Sequence, residues 1–156
     1  MSSKLEIPFI TQIDLQHKKV LMRVDFNVPL EQGKVADDTR IRAALPSIEY
    51  ALQQNAKVIL ISHLGRPKGK VDDKFSLAPA GEVLAGYLNR DVLLSDRPIG
   101  EGPTRLVHDL KEGSVLLLEN IRFHSGETKN NEHLAKELAQ FADCYVNDAF
   151  GTAHRS

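Results

Sequence analysis

Lys57-Val-Ile-Leu-Ile61, followed at once by Ser62-His-Leu-Gly-Arg-Pro67, is the stretch from which the rest of the chain can be read. A short aliphatic run without polar alternation suits a strand covered on both faces, as in a parallel sheet. Four further apolar runs follow the same plan, Val20–Val24, Asp91–Leu94, Val115–Leu118 and Cys144–Val146, and three of the five are nearly continuous in Val, Leu and Ile. Between the runs the spacing turns helical. Ile41, Leu45, Ile48 and Leu52 form a single apolar stripe, with Asp37 or Asp38 as its cap. Pro46 inside that stripe predicts a bend or a late helix start. Other stripes pass through Val83, Leu84 and Leu88 and through Leu134, Leu138 and Phe141, and a shorter one covers Thr104–Leu110. Strand and helix alternate to the end. The expected fold is therefore α/β, a doubly wound, mostly parallel sheet with helices on both faces, joined by right-handed crossovers. Gly33, Gly100–Pro103 and Gly113 fall between elements, and nothing marks a domain boundary within the 156 residues.

Composition narrows the function. Lys and Arg number 20 against 21 Asp and Glu, a net charge of -1. A chain that coats nucleic acid or an anionic membrane carries a basic excess, so neither is expected as a partner. No apolar stretch is long enough to span a bilayer. Met1–Ile10 contains Glu6 and Pro8 and lacks the apolar core of a signal peptide, so a cytoplasmic protein is expected. Cys144 is the only cysteine and reads as a buried, reduced thiol, with Asp143 opposing reactivity. There is no phosphate-loop motif, dinucleotide fingerprint, zinc-ligand spacing or nucleophile elbow. No metal site is expected in this chain.

In an open parallel sheet, ligands bind beyond the carboxyl ends of the strands. Those ends carry Asp25 and Asn27 after the first run, His63 and Arg66 after the second, and Glu119 and Arg122 after the fourth. The last run leads into Asn147-Asp-Ala-Phe-Gly-Thr-Ala-His-Arg155, and Arg40 lies in the first turn of the first helix, at the same edge. The opposite ends offer ordinary turn residues. Each guanidinium presents a fixed fork of donors that matches phosphate or carboxylate. Several of them, without enough nearby carboxylates, call for a multiply charged anion, and Asp25 with Asn27 suits a hydroxyl beside it. A small phosphorylated hydroxy acid fits, as do many sugar phosphates. Singly, each residue has a plainer reading: Asp25 and Asn27 as a turn closure, His63 as a structural histidine, Arg66 as a solvated loop charge. Arg122 has Glu119 or Glu127 as salt-bridge partners, and Gly65 and Gly151 serve local turns. Their joint place on one edge favours function.

Arg23-Val-Asp-Phe-Asn-Val-Pro29, Asp38-Thr-Arg-Ile-Arg42, Ser62-His-Leu-Gly-Arg-Pro67, Glu119-Asn-Ile-Arg-Phe123 and Asn147–Arg155 together resemble the signature segments of phosphoglycerate kinases, in order and at compatible spacing. The resemblance implies a single Rossmann-like domain of a two-domain glycolytic kinase. That kinase moves a phosphoryl group reversibly between 1,3-bisphosphoglycerate with ADP and 3-phosphoglycerate with ATP. Matching motif to motif, His63, Arg66, Arg122 and Arg155 would hold the 3-phosphate, and Asp25 and Asn27 would contact the hydroxyl and glycerate end. Phe26, Leu64 and Gly65 join the substrate-binding set. Arg40 would approach the carboxyl and the transferring phosphoryl group, as the catalytic residue. Mg2+ and ATP or ADP would be bound by a C-terminal nucleotide-binding domain, whose motifs this sequence lacks, so no cofactor is expected here. Residues 1–156 thus read as the N-terminal substrate-binding domain, inactive alone, of a kinase that is monomeric when complete. A non-catalytic anion-binding module derived from the same domain is the alternative, and a structural domain with its arginines in salt bridges is a third.

Overall fold

The computed structural model describes residues 14–67, 71–124 and 128–147, the backbone alone for 128–131. Its main strands are β1 (Lys19–Arg23), β4 (Lys57–Ile61), β5 (Val92–Leu94), β6 (Val115–Leu117) and β7 (Cys144–Asn147). Each falls on one of the five apolar runs. They form one sheet in the order β5-β6-β4-β1-β7, and every pairing is parallel. The connecting helices are α1 (Thr39–Gln53), α2 (Ala78–Leu88), α3 (Glu101–Asp109) and α4 (Thr128–Gln140).

Register explains why the runs do not alternate. Val92, Val115, Val58, Val20 and Cys144 line up across the sheet, and the next row is Leu93, Leu116, Ile59, Leu21 and Tyr145. Successive side chains on a strand point to opposite faces. Val20, Met22, Val58, Leu60, Val115 and Leu117 pack with Ile41, Ile48 and Leu84 of α1 and α2. Leu21, Ile59 and Leu116 pack on the other face with Val107, Leu110, Leu138 and Phe141, which lie on or just after α3 and α4. Helices cover both faces, so the aliphatic positions of the central strands β1, β4 and β6 are buried, each large aliphatic contributing about 1.5–3 kcal/mol. Only the row ends, Leu93 and Tyr145 on the edge strands, stay well exposed.

Several details depart from the expectations. α1 runs from Thr39 through Pro46 without a late start. Pro46 and Arg42, the residue whose carbonyl loses its amide partner, are both exposed. Asp38 takes the cap position but its carboxylate makes no cap hydrogen bond; it pairs with Arg42 at 3.0 Å, while Asp37 accepts from the Thr39 N–H at 2.9 Å. α3 starts at Glu101, ahead of Thr104, because Pro103 is tolerated in a first turn. A small hairpin, β2 (Leu30–Glu31) with β3 (Lys34–Val35), precedes α1. Its strands are too short for periodicity to register, and the cue is its turn: Gln32 and Gly33 are both left-handed, at φ 53° and 78°. Cys144 is half-buried rather than buried, because β7 is an edge strand. Burial still raises its thiol above the ordinary value, with Asp143 and Asp14 adding and Lys18 opposing. Among the described residues, no helix is long and apolar enough to cross a membrane.

Candidate functional site

β1, β4 and β6 are neighbours, and their backbone pairing continues one step past the strands. The Val24 N–H donates to the Ile61 carbonyl at 2.9 Å, Leu118 to Leu60 at 3.0 Å, and Ile121 to Ser62 at 3.0 Å. Three loops therefore leave the same edge side by side, carrying residues 24–29, 62–67 and 118–124.

The first loop is shaped by its own polar groups. The Asp25 Oδ1 accepts from the Asn27 N–H at 3.1 Å, so the turn-closing role is present. Arg40, reaching from the start of α1, donates from Nη1 to the Asn27 carbonyl at 2.5 Å and stands 3.6 Å from Asp25 Oδ1. Two cross-links join this loop to the second. Ser62 Oγ accepts from the Phe26 N–H at 2.9 Å, and Asn27 Oδ1 accepts from the Gly65 N–H at 3.0 Å. The third loop closes on the second when Arg122 Nη1 donates to the Gly65 carbonyl at 2.9 Å.

Gly65 permits this approach. Its φ is +59°, and a Cβ there would lie 2.5 Å from Cδ1 and Cε1 of the Phe75 ring. Phe26 and Leu64 are core residues, 0% and 4% exposed, so only their backbones face the loops. Arg66 is on the second loop, exposed, with no partner among the described residues. Arg155 lies outside the described residues.

The electrostatics of this edge are dominated by basic groups. His63 is half-buried, and its imidazole is held below the usual value, first by burial and then by Arg122, with smaller contributions from Arg23 and Arg40; Asp25 opposes. The imidazole is thus neutral at pH 7. Among the described residues, Arg23, Arg66 and Arg122 have no carboxylate within ion-pair distance, and Arg40 has only Asp25. Arg122 does not pair with Glu119. That carboxylate is buried and turned away, with Oε1 accepting from the Leu77 N–H at 2.7 Å and the Asn120 N–H at 2.8 Å, and Oε2 from Ser76 Oγ at 2.6 Å.

Sequence reading missed Arg23, whose charge reaches His63 from the end of β1, and the organising groups Ser62, Phe75 and Asn120. The available signal was a Glu-Asn pair immediately after an aliphatic run, where polar side chains are buried only if satisfied. A groove of ≈ 650 Å³ on α3 and α4, lined by Gly100, Glu101, Thr104, Arg105, His108 and Glu137, shares no lining residue with these three loops. The described residues contain no group of three or more His, Cys, Asp or Glu able to hold a metal.

Among the described residues this edge is a rim of guanidiniums and one imidazole, short of carboxylates. Known proteins give it a family. The family model for phosphoglycerate kinase matches residues 10–156. Phosphoglycerate kinase of Anaeromyxobacter sp. (strain Fw109-5) is 63% identical over 150 residues, and that of Aquifex aeolicus (strain VF5) 55% over 147; each match takes in 94% of this chain. The chain spans 38% and 37% of the length of those two relatives. Among solved structures, the phosphoglycerate kinase from Pyrococcus horikoshii OT3 superposes with a TM-score of 0.82 at 33% identity, over 96% of this chain and 38% of that one. The phosphoglycerate kinase from Coxiella burnetii gives 0.77 at 40% identity, over 90% and 35%. From the aligned motifs, the shared fold and the match to nearly its whole length, this chain belongs to the phosphoglycerate kinase family.

Proposed function

We propose that this chain provides the 3-phosphoglycerate site for reversible phosphoryl transfer between 1,3-bisphosphoglycerate with ADP and 3-phosphoglycerate with ATP. The observation that carries the proposal is the carboxylate-poor gathering of Arg23, Arg40, Arg122 and His63 where β1, β4 and β6 end. Arg122, Arg66 and His63, with Arg155 from the C-terminal motif, hold the 3-phosphate. Asn27 and Asp25 face the hydroxyl and the glycerate; the Asn27 Nδ2 has no partner among the described residues and is available to donate. The backbones of Phe26, Leu64 and Gly65 frame the site.

The acceptor is a carboxylate, already ionised at neutral pH, so no general base is required. The barrier comes from bringing two anions into line and stabilising charge that spreads over the moving phosphoryl group. Arg40 takes that task. Its guanidinium is held by the Asn27 carbonyl and Asp25 at the mouth of the first loop, with donors left over. Mg2+ and the nucleotide belong to the family's nucleotide-binding domain. This chain's part is the glycerate, held at the basic rim. Alone it binds 3-phosphoglycerate and turns over no ATP.

Calorimetric titration of the chain with 3-phosphoglycerate, repeated on Arg122→Ala, tests the proposal. A charged hydrogen bond is worth about 1.5–3 kcal/mol, so roughly ten- to hundredfold weaker binding is expected. Equal affinity of the two proteins, or no binding by either, would overturn it.

A further inference from the structure

Leu64, Phe75 and the neighbouring Arg122 meet on one side chain, that of Asn120, which is fully buried. Its Oδ1 accepts from the Leu64 N–H at 3.2 Å and from the Arg122 N–H at 3.0 Å. Its Nδ2 donates to the Leu64 carbonyl at 2.7 Å and to the Phe75 carbonyl at 2.9 Å. A primary amide has two donors and two acceptor lone pairs, and here all four are used. No other side chain of this size reproduces the set. A carboxylate would keep the acceptor and turn its second oxygen toward two carbonyls.

What the amide holds is specific. Leu64 is bonded on to Gly65, whose carbonyl receives the Arg122 guanidinium at 2.9 Å. Arg122 is itself held through its backbone N–H. One side chain thus fixes both the donor and the acceptor end of the contact that ties the third loop to the second. The grip on the Phe75 carbonyl also holds the ring against which Gly65 is packed.

We infer that Asn120 is the positioning residue of the anion site, setting the distance between the Arg122 fork and the His63–Arg66 loop without touching the ligand. This rests on reading the rim as an anion site. A displacement that breaks one charge-assisted hydrogen bond to the ligand weakens binding roughly ten- to hundredfold.

The test compares Asn120→Ala and the isosteric Asn120→Asp with wild type and with Leu84→Ala, a core variant on α2 remote from the loops. Arg122 guanidinium NMR signals report its hydrogen bond without any ligand, and titration with 3-phosphoglycerate reports binding. Dispersed, slowly exchanging Arg122 signals are expected in wild type and Leu84→Ala and averaged ones in both Asn120 variants, with affinity about ten- to hundredfold weaker. If Asn120→Ala does not fold, Asn120→Asp carries the comparison. Asn120 variants that keep the dispersed signals, or bind no more weakly than Leu84→Ala, would overturn the assignment. Should wild type itself bind nothing, the proposed function fails, while the Arg122 signals still decide the role of Asn120.

Discussion

Replacing Gly65 by alanine tests how the rim is assembled, because two separable costs meet there. The first is conformational. At φ +59° an L-residue with a Cβ sits in the left-handed region, at about 1–2 kcal/mol. The second is steric. The new methyl would be 2.5 Å from two atoms of the Phe75 ring, so the ring must leave its rotamer, at about 0.5–1.5 kcal/mol. Together they give about 1.5–3.5 kcal/mol, which for a domain of this size lowers the melting temperature by roughly 3–14 °C. Gly33→Ala is the control. Its φ is +78° and nothing lies within 4 Å of the added methyl, so only the conformational cost applies. Urea unfolding of both variants gives the free energies directly. Gly65→Ala should be the more destabilised by the steric increment, and Gly65→Ala combined with Phe75→Ala should lose that increment. A Gly65→Ala protein as stable as wild type, or no less stable than Gly33→Ala, would refute the packing argument.

Three other outcomes are expected. Glu119→Ala strands three donors, the buried N–H groups of Leu77 and Asn120 and the half-buried Ser76 hydroxyl. It should destabilise by about 3–5 kcal/mol in urea unfolding, with Glu119→Gln recovering part of the loss. His63 should titrate below the free imidazole value by NMR, and an adjoining sulfate should raise it. The unfolded chain then binds more protons just below pH 6.5, so stability falls as pH drops through 6.5 toward the lower folded value, and His63→Gln should remove that slope from the difference curve. Sulfate, which does not titrate there, should bind more tightly as the pH is lowered through the same window. Finally, a disulfide reagent should modify Cys144 more slowly in native buffer than in urea, because burial raises its thiol.

What could be read from the sequence followed from burial on both sides of the sheet. Lys57–Ile61 and Val115–Leu117 announce themselves because helices lie on both of their faces. Parallel pairing then sends the residues after each run to one edge, which is why Asp25, His63 and Arg122 could be grouped before any coordinates. Strand order could not be read. Nothing in Val115-Leu-Leu117 says that it inserts between β4 and β5, since that choice is made by packing between distant elements. The role of Asn120 was hidden for a similar reason. Its partners Leu64 and Phe75 are 56 and 45 residues away, and no local spacing records them.

The central claim is that groups at the ends of β1, β4 and β6 grip one phosphorylated glycerate. Titrating the isotope-labelled chain with 3-phosphoglycerate and following each residue by NMR addresses it most directly. Saturable shifts should concentrate at the Gly65 amide, the His63 ring and the Arg122 guanidinium, and leave Arg105 and His108 on α3 unmoved. Shifts absent from those three groups, or spread evenly over the surface arginines, would contradict it.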